Sequence, residues 1–196
     1  MEGKLDVVRV QEGIERFGRF IGWPVLTVCF SDKGDGSAMS VTELCKSIEA
    51  YGYGDVVFTG CEPLRQLPAI TELCDFFMQQ IRTKQLRLHL QSTGSLVTGA
   101  KDLDFLSYRF YYLCFFPSTL EVAQMLHLQL VGSWYRYPCR SDIIVTTKLD
   151  GKVGDDMLPY ATMVRAADDS CVRKVEEYCI NQKVKMAMRW YDDRTK

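Results

Sequence analysis

The stretch DVVFTGCEPLRQ, residues 55–66, contains the clearest indication of the fold class. Its first part, residues 55–59, is rich in β-branched and apolar side chains, which predicts a buried strand. A turn follows at residues 60–63, and apolar residues at helical spacing then predict a helix over 67–81. A strand that passes through a tight turn into a helix is the repeating unit of a parallel α/β sheet.

The same order of strand and helix continues on both sides of this stretch. Further strands are predicted at residues 25–30, 86–90, 108–116, 143–147, 160–164 and 184–190. Helices are predicted after the capping boxes Ser40/Glu43 and Ser118/Glu121 and after residues 168–170, the first of them ending at Gly52 and Gly54. Parallel strands joined by right-handed crossovers follow from this order. About six such strands predict a partial, open parallel (βα)6-type barrel, since a complete barrel needs eight.

Composition places the chain among ordinary globular proteins and excludes several classes. The 196 residues predict a single domain over 1–196, and 24 basic against 25 acidic side chains argue against a surface coated for nucleic acid. No apolar run approaches the roughly 20 residues of a membrane span, and the N-terminus has no apolar signal core. We therefore expect a cytoplasmic protein that does not enter membranes. The eight cysteines form no C-x2-C pair, which disfavours zinc and favours reduced thiols.

Ligand sites in parallel α/β barrels lie in the loops that follow the carboxyl ends of the strands. Here those loops are residues 31–37, 60–63, 92–95 and 117–118. At these loops the sequence resembles radical S-adenosylmethionine proteins, in particular 7-carboxy-7-deazaguanine synthases. TGCEPLRQ at 59–66 resembles the family's T-G-G-E-P-L-x-Q. Weaker similarities lie at 11–13 with 17–24 (the family's Q-G-E-G opening), 89–95 (E-T-N-G-T), 116–118 (S-P-K) and 185–190 (the terminal strand).

The resemblance implies a set of cofactor-binding residues. Glu62 matches the family glutamate that holds the methionyl ammonium of S-adenosylmethionine, with Thr59 and Gly60 shaping the turn. Thr93, in the later loop, completes the set. Cys61 replaces the family's second glycine, where a side chain would crowd a backbone with positive φ or a ligand that comes close. The residues alone leave open that Glu62 only caps the following helix, whose positive end favours a carboxylate.

The cluster-binding motif of the family is absent from this sequence. Family members carry three cysteines, whose thiolates hold a four-iron four-sulfur cluster. Here residues 29–37 read CFSDKGDGS, and Cys29 falls several residues before the first expected ligand. Cys29 and Cys45 could match a longer-loop variant, but Ile48 stands where the third thiolate is needed. We therefore expect no iron–sulfur cluster, no other metal and no catalytic residue, while S-adenosylmethionine binding stays open.

These observations predict a non-catalytic radical-SAM-like protein, a pseudoenzyme that acts as an interaction or structural subunit of a larger assembly. One alternative is a diverged 7-carboxy-7-deazaguanine synthase, a lyase-type enzyme of 7-deazaguanine (queuosine-type) nucleoside biosynthesis. Another is an S-adenosylmethionine-binding sensor module. The expected partner is a protein, including a second copy in a homodimer. Nucleic acid is a further candidate, contacted through Lys183, Lys185, Arg189 and Trp190, although such residues also occur on solvent-facing edge strands.

Overall fold

The described residues form an open nine-stranded α/β sheet. The computed structural model describes residues 3–31, 36–52, 54–131, 139–151 and 154–187. The strands are β1 (Lys4–Ile14), β2 (Pro24–Phe30), β3 (Ser37–Ser40), β4 (Asp55–Gly60), β5 (Arg87–Ser92), β6 (Tyr112–Phe115), β7 (Arg140–Thr147), β8 (Met163–Ala166) and β9 (Lys185–Met186). Their order in the sheet is β3-β1-β2-β4-β5-β6-β7-β8-β9. From β2 onward the neighbours are parallel, and β1 is antiparallel to both β2 and β3.

Helices connect the parallel strands, which confirms the predicted open α/β barrel class. They are α1 (Val41–Tyr51), α2 (Leu67–Phe76), α3 (Met78–Arg82), α4 (Ala100–Ser107), α5 (Leu120–Val131) and α6 (Val172–Gln182). In α1 the predicted capping box is present, because Ser40 and Glu43 bond each other's backbone N–H, and Gly52 ends the helix at a φ of 69°. No helix in the described part of the chain is long and apolar enough to cross a bilayer.

The sheet has an outer face covered by helices and an inner face covered by a connecting segment. Leu26, Val28 and Phe30 of β2 alternate with inner-face residues and join a core built with α1, α2, α4 and α5. Part of the inner face is covered by residues 15–23, which we call the plug segment. Its Phe20 is buried in a smaller cluster with Tyr112, Cys114, Ile144, Met163 and Ala187.

Gly18 allows the plug segment to dock closely. Its φ is 75°, and a Cβ at this position would lie 1.9 Å from the hydroxyl oxygen of Tyr112. A side chain would therefore be both strained and in collision with β6. The plug segment follows β1 and brings residues from the start of the chain against the middle of the sheet.

Several predicted elements differ from the structure. The strand predicted at 108–116 begins only at Tyr112, because α4 and its final turn occupy the preceding residues. The helix predicted over 67–81 is divided at Phe77, whose φ and ψ of −91° and 11° separate α2 from α3. The hydroxyl that accepts the N–H of Val122 at the start of α5 belongs to Thr119 rather than Ser118. The strand predicted at 160–164 begins at Met163 because a 3-10 turn spans Asp155–Tyr160.

Candidate functional site

The carboxyl ends of the parallel strands surround an open cleft. It consists of two adjoining cavities of about 430 Å³ and about 210 Å³, which share Phe17, Thr59, Gly60 and Gln91 in their walls. The larger part reaches β6, β7 and β8, and the smaller part reaches β1 and β2. A volume of this size is typical of small-molecule sites. The cleft is therefore the candidate functional site.

Glu62 lies beneath the cleft and is held by its own chain. It is 5% exposed and does not appear among the cleft walls. One carboxylate oxygen accepts the N–H of Leu64 at 3.1 Å and the hydroxyl of Ser92 at 2.8 Å. The other accepts the N–H of Thr93 at 2.9 Å and the hydroxyl of Thr93. Since each oxygen accepts two donors, the carboxylate links the loop after β4 to the loop after β5.

The turn before Glu62 requires glycine at one position and accepts a side chain at the next. Gly60 has a φ of 121°, and a Cβ there would lie 2.1 Å from the carbonyl oxygen of Phe30. Cys61 donates its N–H to that same oxygen at 3.2 Å, has no positive φ and is exposed in the cleft. The backbone therefore accommodates the cysteine without the expected strain, and the side chain lies in the cleft, where it would meet a ligand.

A chain of polar contacts forms part of the cleft wall. Thr59 donates its hydroxyl to the amide oxygen of Gln91 at 2.8 Å, and Gln91 donates its amide N–H to Glu15 at 2.6 Å. The same oxygen of Glu15 accepts the N–H groups of Arg16 and Phe17. Glu15 is 2% exposed. This carboxylate therefore fixes the entry of the plug segment against β5.

A buried histidine lies between two carboxylates deeper in the inner face. His89 is fully buried, with Nδ1 3.5 Å from Glu15 and Nε2 3.2 Å from Asp55. Arg87 pairs with the other oxygen of Asp55. Burial opposes the charged imidazole, but contacts with Asp55 and then Glu15 outweigh it and raise the pKa of His89. His89 therefore lies between β5, β4 and the plug segment, with a carboxylate facing each ring nitrogen.

The raised pKa of His89 predicts a pH-dependent stability. Because the pKa is raised in the folded protein, the stabilisation is fully present below the ordinary pKa of 6.5 and is lost as pH rises through the folded value. We expect the free energy of unfolding, measured with urea, to fall as pH rises through the folded pKa of His89. The His89→Gln variant should lose this part of the pH dependence. The only other histidine of the sequence provides the matched control: His127→Gln should keep the wild-type slope. Equal slopes in wild type and His89→Gln would contradict the assignment.

The cysteines near the start of the chain do not fit a three-thiolate cluster. Cys29 lines the smaller cavity on the inner face. Cys45 and Ile48 belong instead to the outer core between α1 and the sheet, where burial raises the pKa of Cys45 to about 12. A thiol in that core cannot meet Cys29 around one metal, because the sheet separates them. Within the described ranges, no three His, Cys, Asp or Glu side chains are placed to hold a metal ion.

The structure brings three of the four candidate residues from the sequence to the cleft. Thr59, Gly60 and Thr93 line it, and Glu62 bonds Thr93 from below. Sequence reasoning missed Glu15, His89 and Arg165. Only His89 has a sequence signal: Arg87, His89 and Gln91 alternate with apolar residues in β5, which marks an inner face that is not purely apolar. Of the nucleic-acid candidates, Lys183 and Lys185 are exposed, whereas Arg189 and Trp190 lie outside the described residues.

A comparison with solved structures supports the fold. No protein-family model and no curated protein matches the sequence. Among solved structures, the crystal structure of QueE from Escherichia coli is similar, with a TM-score of 0.54 and 13% identity. The match covers 96% of this chain and 95% of that chain. This chain has a QueE-like fold. At this identity the likeness to QueE concerns the architecture, and it supports the fold part of the radical-SAM resemblance.

Proposed function

We propose that this protein is a non-catalytic protein with a radical-SAM-like fold that acts as an interaction or structural subunit of a larger assembly. The observation that carries the proposal is the position of Cys45 and Ile48 in the outer core. The longer-loop arrangement of cluster ligands would need this face of α1 to turn toward the cleft. That face of α1 is buried in the core, where the Leu44 side chain is 0% exposed, and this burial opposes such a turn.

Glu62 gives independent support. An ammonium ligand would have to compete with four donors that already satisfy its carboxylate. Removing those donors would leave buried N–H groups without partners, at a cost of about 1–3 kcal/mol each. A structural link between two loops is therefore the role we assign to Glu62, and an S-adenosylmethionine-sensing role is less favoured.

Exposed aromatic side chains favour a role through contact. Phe76 at the end of α2 is 53% exposed and Tyr108 after α4 is 67% exposed. The ion pair of Asp75 with Arg109, at 3.5 Å, brings the two segments together. Aromatic side chains are enriched at protein interfaces, so we expect a protein partner. Nucleic acid, contacted through Lys183 and Lys185, is the second candidate partner, and a test must distinguish it from a protein.

The second candidate function is that of a diverged 7-carboxy-7-deazaguanine synthase. It is favoured by the match to QueE, a protein of that activity, over nearly the whole of both chains. This function needs a cluster that the described cysteines do not assemble. Iron incorporation therefore separates the two candidates.

Anaerobic reconstitution with iron and sulfide tests the proposal. We expect wild-type protein to stay colourless, with substoichiometric iron and no visible thiolate-to-iron absorption. Cys61→Ser serves as a control because Cys61 is an exposed thiol and the obvious site of adventitious iron. Visible absorption that persists in Cys61→Ser but disappears in Cys29→Ser would reveal a real cluster and overturn the non-catalytic role. Cross-linking in extracts of the source cells, with and without nuclease, would then identify the partner class.

A further inference from the structure

Strand β1 has an edge that its own chain covers only in part. One side of β1 pairs with β2 over residues 7–14, whereas the other side pairs with β3 only over residues 4–7. Within the described ranges, no strand lies beside residues 8–14 on this second side. We call residues 8–14 of β1 the free edge. Unpaired N–H and C=O groups on such an edge are a template for another strand.

The backbone of the free edge points outward at alternate residues. Just after β1, Glu15 donates its N–H to the carbonyl oxygen of Trp23 at 2.8 Å, across the ladder with β2. Alternate residues of an antiparallel strand bond the same neighbour. Val10, Glu12 and Ile14 therefore direct their N–H and C=O groups away from β2, toward the free side.

The sequence of the free edge is complementary to a second copy of itself. A two-fold axis perpendicular to a sheet places one residue opposite its own copy, because paired side chains share a face. With the axis at Gln11, Arg9 lies opposite Gly13 of the second copy and Val10 lies opposite Glu12. The two Gln11 amides can each donate and accept, and no like charges meet.

Other two-fold registers fit less well. An axis at Arg9 or at Glu12 places two like charges opposite each other, which destabilises a strand pair. An axis at Val10 would require residues 13 and 14 to pair with residues 7 and 6, whose edge β3 already occupies. An axis at Gly13 pairs only residues 12–14. The axis at Gln11 is therefore the register that uses the whole free edge without repulsion.

We propose that the free edge is a dimer interface, in which the β1 strands of two copies pair antiparallel about an axis at Gln11 and join two nine-stranded sheets into one. The paired segments end at Val8 and Ile14, which are 47% and 43% exposed, so apolar side chains of the two copies come together at both ends. The second copy stops where β3 begins. This inference goes beyond the proposed function and does not depend on whether the protein is catalytic.

A charge swap at the axis tests the interface by sedimentation velocity over a concentration series. We expect the wild type to dimerise below about 100 µM. Gln11→Glu and Gln11→Lys each place like charges opposite each other, so each should raise the Kd of the dimer at least about tenfold. An equimolar mixture of the two variants should dimerise again, because opposite charges then meet. The same two substitutions at Gln182, exposed at the end of α6, are the matched control and should leave the dimer unchanged.

Hydrogen exchange of the wild type gives a second readout that needs no variant. On dilution of the dimer, the amides of Val10, Glu12 and Ile14 should exchange faster, because they lose the second copy. The amides of Arg9 and Gly13 bond β2 in either state, so their exchange should stay the same. Equal exchange of Val10 and Glu12 at high and low concentration would contradict the interface, and circular dichroism verifies that each variant is folded.

Each result of the sedimentation experiment supports or overturns the proposal. A wild type that stays monomeric at about 100 µM would overturn it and leave the free edge to a strand of another protein. A dimer that survives in both Gln11 variants would place the interface elsewhere. Variants that dissociate without recovery in the mixture would overturn the register. Neither result bears on iron incorporation, so the dimer and the non-catalytic role can fail separately.

Discussion

Glu62→Gln should destabilise the protein by about 2–4 kcal/mol, which is large for a change of one atom. The glutamine amide can direct its oxygen to only one of the two donor pairs. Its NH2 group then faces the backbone N–H of Leu64 or that of Thr93, and neither can reverse its direction as a hydroxyl can. One buried N–H is left unsatisfied in either orientation. Urea unfolding with a linear extrapolation measures the loss.

Glu177→Gln supplies the control for this change. Glu177 is 65% exposed on α6 and contacts Arg173 at 3.5 Å, so the same substitution there should stay within about 0.5 kcal/mol of wild type. Hydrogen exchange adds a local readout: in Glu62→Gln, protection should fall first in residues 60–64 and 92–95. Wild-type stability of Glu62→Gln would mean that the two loops are held by other contacts and that Glu62 is available to a ligand.

The outer face of the fold could be predicted from sequence because local patterns determine it. The apolar stripe of α1, with Leu44, Cys45 and Ile48, lies in the core as its helical spacing predicts. The Ser40 capping box gives the start of that helix. Strand β4 and the turn at Gly60 likewise follow from β-branched residues and a glycine. In each case residues close in sequence carry the whole signal.

The inner face could not be predicted because partners distant in sequence decide it. His89 has an ordinary place in an alternating strand, and only folding brings Glu15 and Asp55 to its two nitrogens. Strand β1 has an alternation weakened by a bulge between Val7 and Arg9, which hides its strand character. Arg165 lies on a strand of four residues, too short for its pattern to tell which face it occupies.

Asp142→Ala should be the most damaging single change outside the apolar core, with a loss of about 3–5 kcal/mol. Asp142 is 2% exposed and accepts Nε and Nη2 of Arg19, each at 2.7 Å. It also accepts the hydroxyl of Tyr112 at 2.8 Å and that of Thr162 at 3.1 Å. The hydrogen bonds to Asp142 raise the pKa of Arg19 further above its usual value, so the guanidinium stays charged.

The expected stability loss of Asp142→Ala is large because alanine removes the acceptor that three side chains share. The Tyr112 hydroxyl is left buried, and the Arg19 guanidinium loses the carboxylate that orients it. Asp75→Ala is the matched control: that carboxylate pairs with Arg109 at 3.5 Å but is 57% exposed, so its loss should cost no more than about 1 kcal/mol.

A paired variant separates charge loss from packing loss. Replacing Arg19 and Asp142 together by leucine should cost less than Asp142→Ala, because no buried charge or guanidinium is left without its partner. The plug segment carries both Arg19 and the Phe17 ring that packs against Arg165. Equal stability losses in Asp142→Ala and Asp75→Ala would show that Asp142 does not hold the plug segment and that its other contacts are sufficient.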